Sequence, residues 1–267
     1  MIQLVVLDLD GTLLDPHREA PIRPAVREAV QRTLEKGIGV TLATGRTWEY
    51  ARHRQEELGL SLPMVASHGA SVVARDGQIL WESCLQDELA HRLAQQTLSR
   101  PETFSFYYRQ RQGQQLRIAL NRAPQPMEFY HHLLGRSVEV AADFSAPLAE
   151  YRVLKFVVFD EEADAVERWS DWAGSEAQVH RTHHLLVEGT APGVDKGAGL
   201  RRLCQHLGIP LANVLAVGDN FNDLPMFEAA GRSVAMGQSP EAVRQAAHWI
   251  APSFEEDGVA AALIQFT

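Results

Sequence analysis

Cysteine is nearly missing from this sequence, with Cys84 and Cys204 the only two in 267 residues. Neither belongs to a C-x-x-C pair, which argues against a disulfide framework and against a zinc knuckle. A reducing cytosol suits such a chain. Positive charge is also short. Lys and Arg number 25 against 34 Asp and Glu, a formal net charge of −9, and the isoelectric point is near 5.7. General nucleic-acid binders and binders of anionic membranes need a positive field that this composition does not supply. A small phosphate ligand stays compatible, because a site can be locally positive inside an acidic protein. Long hydrophobic runs are missing as well. No stretch approaches the roughly 18 apolar residues of a membrane span. The first apolar run stops at Asp8 with no basic region ahead of it, unlike a signal peptide. The expected setting is cytoplasmic.

What is present is ordinary globular composition, 45% hydrophobic and 22% charged, long enough for one or two domains at about 150 residues each. Ile2 to Leu7 is a β-branched apolar run of the kind buried on both faces in a parallel sheet. Pro24 to Lys36 has apolar residues at helical spacing, with proline at its first turn. Ile38 to Ala43 reads as a second buried strand, Trp48 to Leu58 as a helix, and Pro63 to Ser67 as a third strand. This β-α-β-α-β opening predicts a doubly wound, mainly parallel Rossmann-like α/β sheet. The pattern then changes. Asp76-Gly77 between Ser71–Arg75 and Gln78–Glu82 predicts a hairpin. Strands over Thr103–Arg109, Gln114–Leu120, Tyr151–Phe159, Ala177–Arg181 and His184–Glu188 mix with helices over Asp87–Leu98, Met127–Leu134 and Ala163–Trp172. That is an α+β segment. From Lys196 the first pattern returns, with helices over Lys196–Leu207, Asn222–Ala230 and Glu241–His248 around short strands at Val214–Val217 and Ser233–Met236. The expected organisation is an α/β core from residues 1–83 and 188–267, with an α+β cap domain inserted at 84–187.

Open α/β sheets bind ligands outside the carboxyl ends of their strands. Three such ends carry unusual polar residues. In Asp8-Leu9-Asp10-Gly11-Thr12 the strand period turns Asp8 and Asp10 to one side. Two carboxylates that close want a cation or a shared proton, although an acidic strand-ending turn has the same look. Thr44-Gly45-Arg46 offers a hydroxyl and N–H groups at a strand-to-helix junction, a natural anion site and equally a helix cap. Gly218-Asp219-Asn220-Phe221-Asn222-Asp223 supplies two more carboxylates four residues apart. Hard oxygen ligands of this kind suit Mg²⁺, and an Asp or Asn N-cap would explain Asp219 as well. Lys196, at a predicted helix start, opposes the helix dipole. A bound phosphate would account for it, and so would a solvated surface position.

In order and context, VVLDLDGTLL (5–14), TLATGR (41–46), GVDKGAGL (193–200) and VGDNFNDLPMF (217–227) resemble the four motifs of the haloacid-dehalogenase-like phosphatase superfamily. The resemblance is to its Cof-type branch (subfamily IIB), whose cap is inserted between the second and third motifs and helps choose the leaving group. It implies that Asp8 is the nucleophile, forming an aspartyl-phosphate, and that Asp10 is the general acid and then the base. It implies that Gly11, Thr44, Gly45, Arg46, Lys196 and Asn222 bind substrate, with Thr44 on the phosphoryl oxygens and Lys196 offsetting charge. It also implies Mg²⁺ held by Asp8, the Asp10 carbonyl and Asp219, with Asn222 and Asp223 in support. In this superfamily an Asp two residues after the nucleophile goes with phosphatases and mutases. The implied activity is a phosphoric monoester hydrolase for small phosphorylated metabolites such as sugar phosphates. The alternatives are a sugar phosphomutase and a non-catalytic phosphate-binding protein on the same fold.

The sequence departs from the family in three places. Ser67-His68-Gly69-Ala70 stands where Asn-Gly-Ala is frequent, Asp195 where Ser or Asn precedes the lysine, and Asn220 where Gly is frequent in the fourth motif. His68 would touch substrate or cap, or be a tolerated loop residue. Asp195 would lower the positive potential around Lys196. In the middle segment Arg109, Arg111, Arg117, His131, His132, His180, Arg181, His183 and His184 form a cationic polar supply, read chiefly as surface. Tyr107 and Tyr108, adjacent in a strand, are expected to divide between core and solvent.

Overall fold

The computed structural model describes residues 1–15, 20–122, 138–141, 143–183 and 185–267. The expected helix at Met127–Leu134, with His131 and His132, and the residue His184 lie outside these. The chain divides into two compact units, Met1–Glu82 with Asp195–Thr267, and Ser83–Val194.

The first unit is built on a five-stranded parallel sheet. Its strands are β1 (Leu4–Leu7), β2 (Gly39–Leu42), β12 (Val214–Gly218), β13 (Arg232–Ala235) and β14 (Trp249–Ile250), numbered in chain order, with sheet order β14-β13-β12-β1-β2. β1 is an interior strand, with Leu4 opposite Val214 on one side and Gly39 on the other. Every residue of Leu4–Leu7 is buried, which is why this strand reads as unbroken LVVL rather than as an alternation. Helix α1 (Pro24–Glu35) turns Val26, Ala29, Val30 and Thr33 inward, the i, i+3, i+4, i+7 stripe of an amphipathic helix. It packs with α8 (Gly258–Phe266) on one face of the sheet. Helix α5 (Lys196–Leu207) contributes Leu200, Leu203 and Cys204 to the core on the opposite face. α2 (Trp48–Glu57), α6 (Leu224–Ala229) and α7 (Glu241–Ala246) complete this unit. β14 and α8 were not predicted.

The third strand departs from expectation. β3 (Met64–Ala66) pairs with the parallel sheet through a single parallel bridge, Ala43–Val65, and its ladder is with β4 (Ser71–Val73), which pairs in turn with β5 (Ile79–Glu82) in a small antiparallel sheet. The chain reverses at residues 67–69, all at positive φ, so the next strand returns along β3.

The second unit carries a six-stranded sheet, order β10-β11-β9-β6-β7-β8. Its strands are β6 (Thr103–Gln110), β7 (Leu116–Leu120), β8 (Val138–Val140), β9 (Tyr151–Phe159), β10 (Gln178–His183) and β11 (Leu186–Thr190). α3 (Asp87–Ser99) and α4 (Ala165–Ala173) cover one face, where Leu89, Leu93, Phe104, Phe106, Tyr108, Phe156 and Trp169 form the core. β11 pairs with β9 from Thr190 opposite Lys155 to Leu186 opposite Phe159. The unit therefore ends at Val194, later than the expected residue 187. Tyr107 and Tyr108 are both buried, because both faces of β6 are covered there: Tyr108 joins Phe104 and Phe106 in the core, and on the other face the Lys155 ammonium lies 4.6 Å from the centre of the Tyr107 ring. Four cations of this unit have partners within it: Arg109 donates to the Gln114 carbonyl, Arg111 to Asp87, Arg117 to Glu139 and Arg181 to the Asp160 carbonyl. No helix of the described residues is long and apolar enough to cross a membrane.

Candidate active site

The first unit brings the carboxyl ends of β1, β2 and β12 side by side, with the start of α5 beside them. Asp8 continues the β1 ladder by donating its N–H to the Val217 carbonyl at 3.0 Å. Its position at the sheet edge is thus set by backbone, and it is buried. The chain then folds back on itself, with Leu13 and Leu14 N–H both reaching the Leu9 carbonyl at 2.8 Å. Gly11 lies at φ +89°, and a Cβ there would fall 2.3 Å from Asp219 Oδ2. Only glycine meets both demands, so the first and fourth motifs are in direct apposition. Thr12 fixes this junction by donating to Asp219 Oδ1 at 3.0 Å.

Lys196 lies on the first turn of α5. Asp195 is the N-cap, its carboxylate accepting the Ala198 N–H at 2.7 Å. That is the local reason for Asp at this position, and it engages the charge expected to weaken the lysine. The Lys196 side chain is fully buried. Its ammonium donates to Asp8 Oδ1 at 2.5 Å and to Asp223 Oδ1 at 2.6 Å. Asp223 is fixed from the other side, its Oδ2 accepting the N–H groups of Asp219 at 2.8 Å and Asn220 at 2.9 Å. Asp219 is therefore held by its own backbone, while its carboxylate stays in the site.

These charges do not balance. Asp8, Asp219 and Asp223 bring −3 and Lys196 brings +1, leaving −2. Burial pushes the Asp8 carboxyl well above its ordinary range, against the pull of Lys196. Burial, reinforced by the charge of Asp223, raises Asp219 to about 7. Burial alone would lower the Lys196 ammonium, but the charges of Asp223 and Asp8 outweigh it and the net shift is upward. One oxygen from each of Asp8, Asp219 and Asp223 lies within 4.8 Å of the others. Asn222, next to Asp223 in the chain, has a buried Oδ1 with no hydrogen-bond partner among the described residues. An all-oxygen set with a charge deficit of two fits a hard divalent cation such as Mg²⁺.

The second motif lies beside this cluster. Thr44 is completely buried, donates its N–H to the Val65 carbonyl at 3.0 Å, and accepts the Arg46 N–H on Oγ1 at 3.0 Å. Since Oγ1 accepts there, the hydroxyl keeps its own proton to donate. The Arg46 guanidinium makes a two-pronged bond to Asp10, Nε to Oδ2 at 3.0 Å and Nη2 to Oδ1 at 3.1 Å, and lies over the Tyr50 ring at 4.7 Å. Asp8, Lys196, Asp219 and Asp223 thus form one cluster, while the Asp10 side chain is paired with Arg46 outside it. Gly45 lies between Thr44 and Arg46.

A family model for haloacid dehalogenase-like hydrolases matches residues 5–263. The chain belongs to that family. The hydrolase is 28% identical over 265 residues to the 5-amino-6-(5-phospho-D-ribitylamino)uracil phosphatase YcsE of Bacillus subtilis, covering 98% of this chain and 94% of that one. It superposes on a haloacid dehalogenase-like hydrolase from Bacteroides thetaiotaomicron with a TM-score of 0.86, at 26% identity, over the whole of both chains. It also shares the fold of the HAD subclass IIB sugar phosphatase BT4131, with a TM-score of 0.78 at 23% identity, covering 99% of this chain and 98% of that one.

Two contributors of the hydrolase were not among the sequence candidates. Thr12, quoted in the first motif, was assigned no role, yet it holds Asp219. Gln238 donates from Nε2 to the Gly11 carbonyl at 2.6 Å and accepts the Phe254 N–H on Oε1 at 2.9 Å. It ties the loop after β1 to the C-terminal segment. No motif surrounds Gln238, and its partners are 227 and 16 residues away, so no local signal marks it.

Proposed function

We propose that the protein is a Mg²⁺-dependent phosphatase acting on small phosphorylated metabolites, sugar phosphates foremost, through an aspartyl-phosphate on Asp8. The observation that carries this reading is the fully buried Lys196 ammonium bridging Asp8 and Asp223 in a cluster still short of two positive charges. A carboxylate attacking a phosphate dianion is repelled by it, so phosphoryl transfer depends on positioning and on positive charge at the reacting centre. The names of two similar proteins, one for a phosphoribityl compound and one for sugars, support the substrate class.

Lys196 engages one oxygen of Asp8, and the other attacks phosphorus while the ester P–O bond breaks. Asp10, once protonated and released from its pairing with Arg46, gives that proton to the leaving alkoxide. It then takes a proton from water, whose oxygen attacks phosphorus and breaks the bond to Asp8. Such acid–base help is worth about 10²–10⁴-fold. The Thr44 hydroxyl donates to a phosphoryl oxygen. Asp8, the Asp10 carbonyl and Asp219 would hold Mg²⁺, with Asp223 and Asn222 in support, and the ion would neutralise charge on the transferring group.

The deciding experiment is release of inorganic phosphate from a panel of phosphate esters with Mg²⁺ present. The expected result is turnover of several sugar phosphates by the wild type and background rates for Asp8→Asn at unchanged thermal stability. Substantial turnover by Asp8→Asn refutes the covalent route. Isomer formation that requires a bisphosphate, without net phosphate release, identifies a mutase instead.

A further inference from the structure

His68 lies in the loop after β3 and is 5% exposed. Ser67, His68 and Gly69 have φ of +53°, +56° and +95°, three consecutive residues in the left-handed region that only glycine enters freely. A backbone held this way at two side-chain-bearing residues is over-determined by its surroundings. The surroundings are two of the motifs. On one side the Ser67 N–H donates to the Arg46 carbonyl at 2.8 Å and the His68 N–H to the Thr44 carbonyl at 3.1 Å. Gly45 lies between these two anchor points, and the His68 ring lies across it. A Cβ on Gly45 would fall 2.3 Å from Cε1, 2.4 Å from Nε2 and 3.0 Å from Nδ1. On the other side a Cβ on Gly69 would fall 1.9 Å from the Asp195 carbonyl oxygen and 3.1 Å from Lys196 N. One tripeptide thus abuts both the loop that carries Thr44 and the turn that carries Lys196.

We propose that His68 is a positioning residue for phosphate recognition. Its ring fills the space over Gly45 and so holds the most adaptable residue of the Thr44–Arg46 loop in a single conformation, which aims the Thr44 hydroxyl. The inference rests on the phosphatase reading above. The work assigned to the ring is packing. The planar ring and the missing Cβ of Gly45 are complementary shapes, so changing either one alone disturbs the loop.

The test is a double-mutant cycle with one conservative control, read by the KM for the best panel ester, the inhibition constant of inorganic phosphate, and kcat. His68→Asn keeps a residue tolerant of left-handed backbone and removes the ring. It is expected to raise both KM and the phosphate inhibition constant about tenfold or more, since misplacement of a binding group by about 1 Å can cost on the order of 10²-fold. Gly45→Ala, whose methyl collides with the ring, is expected to do the same. In the double variant the methyl occupies the vacated space, so the combined loss is smaller than the product of the two. His68→Phe retains a planar ring and is expected to keep phosphate affinity near wild type, which a direct role for the ring nitrogens would not allow. Unchanged constants in His68→Asn, independent effects in the cycle, or loss of phosphate affinity in a folded His68→Phe each overturn the proposal. If His68→Asn does not fold, Gly45→Ala and His68→Phe decide the matter alone. A wild type that neither turns over an ester nor binds phosphate overturns the phosphatase reading and this inference with it. A wild type that does both while the variants match it overturns this inference only.

Discussion

Lys196 carries two buried carboxylates on one ammonium. Removing it in Lys196→Met leaves Asp8 and Asp223 as uncompensated neighbours in a dry site, a change that typically costs about 3–5 kcal/mol. Thermal unfolding is expected to show that loss, and turnover is expected to fall to background. The titration of Asp219 makes a second prediction. Its folded carboxyl is raised to about 7, so the folded state holds a proton that the unfolded chain has released. By linkage, stability from this group is complete below the ordinary carboxylate range and is lost as pH rises through about 7. The melting temperature of the metal-free protein is therefore expected to fall between about pH 5 and pH 8. Stabilisation by added Mg²⁺ should grow across the same window, as measured by melting with and without chelator. A flat profile would show that Asp219 does not titrate there. Asp8, Asp219 and Asp223 were legible in the sequence, because each lies in a short motif at a strand end. The burial of Lys196 was not, since taken alone a lysine at a helix start equally describes the surface. Gln238 was invisible for a related reason, because its partners are distant in the chain.

At the scale of elements, the caps and turns that hold the site are local. Asp195→Ala removes the N-cap of α5 and is expected to cost about 1 kcal/mol in chemical denaturation. Its effect on turnover should be far smaller than that of Lys196→Met, because the capped N–H lies outside the reacting centre. A large loss of activity at unchanged stability would mean that Asp195 acts on substrate. The helices at Pro24–Glu35 and Lys196–Leu207 were readable from apolar spacing and from their end signals. β3 was legible as a strand, and it meets β2 in parallel at Ala43–Val65, but its antiparallel ladder with β4 was not, because three apolar residues fit either kind of ladder equally well. What settles the matter is the left-handed turn at 67–69, which no glycine-rich signal announces at Ser67 or His68. The unit boundary moved for a similar reason. β11 belongs with β9 by pairing, and strand partners at long range leave no mark in composition.

At the scale of the whole molecule, the second unit carries its own core of Phe104, Phe106, Phe156 and Trp169, whereas the first is assembled from both ends of the chain. Expressed alone, residues 83–194 are expected to unfold cooperatively, and residues 1–82 alone to lack a cooperative transition, as followed by circular dichroism in denaturant. The converse result would place the stabilising core elsewhere. The interior seat of β1, paired on both sides, has a further consequence during synthesis. Leu4 leaves the ribosome 210 residues ahead of its partner Val214. At about 5–20 residues per second, the LVVL strand waits about 10–40 s with one edge open. The intervening unit can mature during that interval, while the strand that leads into Asp8 stays apolar and half-paired, the state in which nascent chains are most easily captured by chaperones or by each other.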